Sequence, residues 1–274
     1  MTQDSTIDIV RLVEFSEAYA WADHFFAAPE EFKSDFGLHV DDLGSAVVLV
    51  MSRLEEPFFN RVIGLGINEP ATAQMLDDLL SFFSWADIKQ CMINLSPAAV
   101  RPELIEWLDE RGFWQWNRWA KFYRGPEPVS IVPNKFRIEL TGPEFADAFA
   151  FVASQAFGVP DYFYPWMAAS VGRPGWRHYT AWDNDAPVAT GAMFIRGEIG
   201  WLGHGSTLPS HRRQGAQSAL LARRLQDGLD LGCKWFVTET DEDTQENPNP
   251  SFRNIQRAGF KLAYHRPNYV WSEY

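Results

Sequence analysis

Apolar positions along this chain switch between strand and helix periods in a set order. Residues 9–15 read as a strand, followed by helices over 17–28 and 30–36. The β-branched run 46–51 (AVVLVM) predicts a buried strand, and 59–67 (FNRVIGLGI) predicts another. After Pro70, Met75, Leu76, Leu79, Leu80 and Phe83 share one helical face. A strand at 91–95 follows, then a helix at 102–110 with proline at its start and Gly112 after its end, then a strand at 114–122. The segment 124–135 (RGPEPVSIVPNK) holds three prolines and reads as a connector.

Beyond it the order repeats. A strand at 136–140, a helix at 143–157 and an aromatic-rich helix or loop at 161–171 are followed by two antiparallel strands, 176–182 and 187–195, around an Asp183-Asn184-Asp185 turn. A strand at 199–208, a helix from Ala216 to a stop at Gly232, a strand at 234–239, a short helix at 251–257 and a strand at 261–271 complete the chain. Gly64-Leu65-Gly66 with Pro70 recurs as Gly203-His204-Gly205 with Pro209, and Gly112-Phe113 recurs as Gly259-Phe260. We therefore expect two α/β (α+β) domains, 1–125 and 126–274, each a mixed, largely antiparallel sheet flanked by helices.

The two copies differ at one junction. In the second, Arg212-Arg213-Gln214-Gly215 turns the chain into a helix whose first amides have no intrahelical partner. Those amides, the helix dipole and two arginines suit a pyrophosphate, and glycine lets it approach closely. The first copy has Ala71-Thr72-Ala73-Gln74 there, without arginine or glycine, and offers no such site. Neither G-x-x-x-x-G-K-[ST] nor G-x-G-x-x-G occurs. Gly203-His204-Gly205 marks a place for a strand bulge.

Composition narrows the partners. The 274 residues are 46% apolar and carry a formal net charge of −12, which disfavours nucleic acid and anionic membranes and favours cationic partners such as amines. Two cysteines, Cys91 and Cys233, lack metal-ligand neighbours and support no disulfide framework. No leader or membrane span is read, so a cytoplasmic location without metal is the expectation; the oligomeric state is left open.

The run Pro209–Leu221 (PSHRRQGAQSALL) resembles the coenzyme A loop of the GNAT superfamily of acyl-CoA-dependent N-acetyltransferases, [Q/R]-x-x-G-x-[G/A]. Arg212 and Gly215 match; Gln217 stands where glycine or alanine is expected. The resemblance covers the part after Lys135 and makes the first half a degenerate copy that packs or walls the substrate cleft. It implies acetyl-CoA as co-substrate and direct attack by a neutral amine in a ternary complex. Arg212, Arg213, Gln214, Gly215, Ala216, Gln217 and Ser218 would hold the pyrophosphate, and Ser206, Thr207 and Leu208 the pantetheine arm. The base candidates are His204, expected to titrate near neutral pH, and Glu239 at the end of its strand. The tyrosine that the family often uses as general acid is replaced by Ile255, so Tyr264 is the substitute candidate, and Asn254 is assigned to the coenzyme. Phe157, Tyr162, Phe163, Tyr164, Trp166 and Asp161 are candidate acceptor contacts. An acyl-CoA sensor without turnover is the runner-up, and a structural partner protein that binds no coenzyme a weaker third.

Overall fold

A computed structural model describes residues 8–130 and 133–273. The start at Met1–Ser5 and the connector residues Ile131 and Val132 lie outside them. The first half contains α1 (Ile9–Ala27), α2 (Glu30–Phe36), β1 (Leu38–Leu43), β2 (Ala46–Met51), β3 (Arg61–Ile63), α3 (Ala73–Trp85), β4 (Gln90–Asn94), α4 (Pro102–Glu110) and β5 (Trp114–Arg124). The second contains β6 (Arg137–Thr141), α5 (Ala146–Phe157), α6 (Tyr164–Ala168), β7 (Trp176–Asp183), β8 (Ala186–Arg196), β9 (Ile199–Thr207), α7 (Ala216–Asp230), β10 (Trp235–Asp241), α8 (Pro250–Arg257) and β11 (Lys261–Ser272).

Three local expectations are corrected. Residues 9–15 are helical, because the Asp8 carboxylate accepts from the Arg11 amide at 3.2 Å and starts one long helix. Its buried positions include Leu12, Val13, Glu17, Ala18 and Phe25, a helical spacing that the short run alone does not display. The strand expected over 59–67 shrinks to three residues, since Gly64 and Gly66 turn the chain with φ of 91° and 78°. β1 is an addition to the expected elements; it pairs antiparallel with β2 from Leu38↔Met51 to Leu43↔Ala46.

Among the described residues the strands form one 11-stranded sheet in the order β1-β2-β3-β4-β11-β5-β10-β9-β8-β7-β6. The fold is the expected α+β class of mixed sheet and helices. β2–β3 is antiparallel and β3–β4 parallel, and β8–β9 and β9–β10 repeat that pattern. The last strand of each half crosses over: β11 pairs with β4 and β5, and β5 pairs with β10. The backbone ladder therefore runs without a break through both halves.

Alternation in β2 shows how the layers form. Val47, Leu49 and Met51 face a core built with α1, α2, α5 and α6, which spans both halves. Ala46, Val48 and Val50 face a second core under α3 and α4. A third core lies under α7 and α8. Among the described residues no helix is long and apolar enough to cross a membrane.

Candidate active site

The site begins where β9 and β10 part. They pair in parallel only from Ile199↔Trp235 to Trp201↔Val237. Beyond that, β9 carries an extra residue against β8: Gly203 pairs with Ala192 and Ser206 with Thr190. His204, not a flanking glycine, takes the left-handed backbone, with φ of 51°. Gly203 is required for another reason: a Cβ there would lie 2.0 Å from the Trp201 ring. The buried Arg224 of α7 holds the bulge, donating from Nη1 to the Ala192 and Gly203 carbonyls at 3.0 and 3.2 Å. Thr238 Oγ1 donates to the Leu202 carbonyl at 2.8 Å and ties the crotch of the fork.

At the mouth of this fork α7 begins bare. Its N-cap is Gly215, with φ of 90° and no side-chain cap, and the first helical bond runs from the Ala219 amide to the Gly215 carbonyl at 3.1 Å. A Cβ on Gly215 would meet nothing within 4 Å, so the space over the first turn is open. Arg212 and Arg213 are exposed beside it, and Arg212 Nε donates to the Thr207 carbonyl at 3.2 Å. Gln214 donates to the Ser210 carbonyl at 3.0 Å. Gln217 turns inward: its Nε2 donates to the Thr190 and Ser206 carbonyls and to Thr207 Oγ1 at 3.0, 2.6 and 3.1 Å. Ser206 is buried with its hydroxyl on Thr190, the Leu208 amide donates to Val188, Ala216 is buried and Ser218 half-buried.

A cavity of about 930 Å³ opens from the fork toward α1. His204, Gln217, Glu239, Ser251, Asn254 and Ile255 line one part, and the remainder is largely aromatic. The first half supplies Glu17, Trp21, His24, Phe58, Arg61 and Trp119, so both halves build the walls. Of the expected acceptor contacts, Phe157, Tyr162, Phe163 and Trp166 are in the wall. The structure thus brings together His204, Glu239, Gln217 and Asn254, but not Tyr264. Because β11 is inserted between β4 and β5, Tyr264 pairs with Lys121 and its Oη donates to Glu14 at 2.7 Å, away from the cavity lining. Burial and the Glu14 charge push that phenol well above its ordinary range. Asn254 Oδ1 accepts from Arg257.

Glu239 places a largely buried carboxylate in the cavity lining. Trp201 Nε1 donates to both of its oxygens at 3.1 Å, and Lys121 Nζ donates to Oε2 at 3.0 Å. Burial pushes its pKa up, Lys121 opposes, and the Glu17 charge adds to the rise. Behind it lies a buried charge network from the first half and β11. Glu17 accepts from Lys121 at 2.5 Å, from Arg266 at 2.7 Å and from Arg61 at 3.4 Å, while Arg266 also reaches Glu14 at 2.7 Å. Burial raises Glu17, but Arg266, Lys121 and Arg61 outweigh it and hold the carboxyl well below its usual range.

His204 departs from the expectation of titration near neutrality. Burial, with the Arg224 charge beside it, pushes it down to about 4, so the ring is neutral in the physiological range. Its ring centroid is 4.8 Å from that of His24. His24 Nδ1 and His178 Nε2 both hydrogen bond the Ser170 hydroxyl, at 3.1 and 3.0 Å. Burial lowers both of these histidines as well.

Trp21, His24, Arg61, Trp119, Lys121 and Glu17 escape a reading of the sequence. One signal is present: Lys121 interrupts the largely apolar strand run WAKFY. Recognising it as a buried partner needs the long-range pairing of β5 with β11.

Residues 143–250 match the family model described as Acetyltransferase (GNAT) family. No curated protein matches the chain. Among solved structures, it is similar to a GCN5-related N-acetyltransferase from Kribbella flavida, at 17% identity and a TM-score of 0.65, over 94% of this chain and 95% of that one. A GCN5-related N-acetyltransferase from Sphaerobacter thermophilus matches at 16% identity and 0.61, over 96% and 91%. A tandem GNAT protein from the clavulanic acid biosynthesis pathway matches at 13% and 0.58, over 94% and 95%.

Proposed function

We propose that this chain, whose C-terminal half belongs to the GNAT acetyltransferase family and whose full length has the tandem GNAT fold, transfers an acetyl group from acetyl-CoA to a primary amine. One observation carries the reading: the uncapped start of α7 lies at the mouth of a fork that leads to a carboxylate-bearing cavity.

The coenzyme's diphosphate binds the free amides of residues 215–218, with Arg212 and Arg213 neutralising its charge. The pantetheine arm follows β9 from Leu208, Thr207 and Ser206 toward the bulge. Asn254 and Ser251 face it from the other wall. A backbone amide of the bulge polarises the thioester oxygen. Glu239 takes a proton from the ammonium of the acceptor, and the raised pKa of this carboxyl suits that task at neutral pH. The neutral amine nitrogen then bonds to the acetyl carbon, the carbon–sulfur bond breaks, the proton left on the acylated nitrogen passes to the thiolate, and Glu239 releases its own proton to solvent. Neutral His204 orients the acceptor.

A second reading, an acyl-CoA sensor, draws on Ile255, a buried apolar residue lining the cavity where the family often has its acid. Two measurements decide. Acetyl-CoA at a hundredfold excess over Kd stabilises a one-site binder by about 2.7 kcal/mol, read as a rise in Tm. Thiol release with a panel of amines marks the enzyme; a Tm rise without release on any amine marks the sensor. No rise with coenzyme A or acetyl-CoA overturns both.

A further inference from the structure

Arg61 is the least satisfied charge in the cavity wall. It is 1% exposed, yet its sole ion-pair contact among the described residues is Glu17 Oε1, at 3.4 Å. Glu17 already serves Lys121 at 2.5 Å and Arg266 at 2.7 Å. Among the described residues, Nε and Nη2 of Arg61 have no hydrogen-bond partner. The guanidinium carbon lies 4.5 to 5.5 Å from the ring centroids of Phe58, Trp21 and Trp119, and all three rings line the cavity with it. A buried guanidinium with open donors is costly unless a ligand completes it.

The charge count points the same way. Glu14, Glu17 and Glu239 balance Arg61, Lys121 and Arg266 only while Glu239 is ionised. When Glu239 accepts a proton, this buried network gains one uncompensated positive charge. An anionic group on the acceptor would offset it at Arg61.

Building on the acetyltransferase reading, we propose that the acceptor is a zwitterion: a primary amine carrying a carboxylate on an apolar, aromatic-sized body, with the carboxylate held by Arg61 and the amine at Glu239. The N-terminal copy then supplies substrate recognition while the C-terminal copy supplies the coenzyme site. Arg61 presents planar donors to a planar carboxylate. Phe58, Trp21 and Trp119 take the apolar body. Exposed Glu55, Glu56 and Asp241 at the same cavity's wall draw the ammonium inward.

The test uses the full-length chain with acetyl-CoA and reads thiol release. Phenylalanine, tryptophan and 4-(aminomethyl)phenylacetate are each compared with their methyl esters. The free acids should show kcat/KM higher by roughly tenfold or more, because a site built to bond a charged group discriminates against its loss. Esters that react equally fast or faster overturn the proposal. Arg61→Gln should erase the acid preference while the KM for acetyl-CoA stays unchanged; a preference that survives overturns it. Should no amine react, 3-phenylpropionate and indole-3-propionate decide by thermal shift with coenzyme A present. Stabilisation beyond that of the matching methyl esters supports the carboxylate site, and its absence overturns it. Loss of the acetyl-CoA shift counts instead against the transferase reading, and the arylpropionate shift still decides the carboxylate site.

Discussion

α3 and α7 follow strands of equivalent place in the two halves, yet they begin in opposite ways. Thr72 caps α3: its hydroxyl accepts from the Met75 amide at 3.2 Å. α7 has glycine at that position and no side-chain cap. A helix start always carries orphan amides, so something must answer them. In α3 the chain answers with its own side chain, and the junction is closed. In α7 the amides are left for water or an anion, and exposed Arg212 and Arg213 stand beside them. One residue of cap chemistry thus separates a closed helix start from an open one, within a shared strand order. The fork shows the same contrast: β3 ends at Ile63 and turns at Gly64, whereas β9 continues through a bulge along an edge that β10 has left.

The largest effect should come from filling that opening. In Gly215→Glu the new carboxylate would occupy the site of the diphosphate and repel it. Acetyl-CoA binding should fall by about two orders of magnitude or more. The φ of 90° adds backbone strain of order 1 kcal/mol, so a lower Tm with a retained cooperative melt is expected. Isothermal titration reads the first quantity and a thermal melt the second. Normal coenzyme binding by this variant would put the diphosphate elsewhere.

A smaller change tests whether the first half acts on the chemistry of the second. Lys121 of β5 stands directly across from Glu239 of β10 and shares its ammonium with Glu17 of α1. Lys121 lowers the Glu239 pKa, whereas Glu17 raises it. Removing the cation in Lys121→Met should raise the Glu239 pKa and move the acidic limb of kcat/KM to higher pH by about one unit. Glu17→Gln removes a raising charge and should move the same limb to lower pH. Opposite displacements in the two pH profiles are the signature. Shifts of the same sign, or none, would leave Glu239 without the role of base.

How much of this is legible in the sequence follows from the range of each signal. The turn at residues 212–215, the helix after it and the bulge region announce themselves through neighbouring glycine, proline and arginine. Those constraints act within a few residues and survive any tertiary context. The partners of Glu239 do not. Lys121 sits in the run WAKFYR, where alternation alone reads it as facing water. It is buried because β5 crosses into the second half and α1 lies over it. Glu14 and Glu17 fall at the edge of a short apolar run that reads as a strand, so their common helical face is hidden. The place of β11 is equally out of reach, since strand pairing at long sequence separation leaves no local trace. The turn proposed to hold the coenzyme is written locally, and the cavity walls are written across the whole chain.

The mildest perturbation bears on the closed junction. Thr72→Ala removes the hydroxyl that answers the Met75 amide and should cost about 1 kcal/mol. For a chain of this size that lowers Tm by about 2–4 °C. Because α3 packs on the face away from the cavity core, acetyl-CoA affinity should not change. Gly215, by contrast, has no cap to lose, and the two substitutions should respond in crossed fashion: Thr72→Ala changes stability without affinity, and Gly215→Glu changes affinity with a limited stability loss. A loss of coenzyme affinity in Thr72→Ala would mean that the first junction also answers to the ligand, and the division of labour between the two helix starts would collapse.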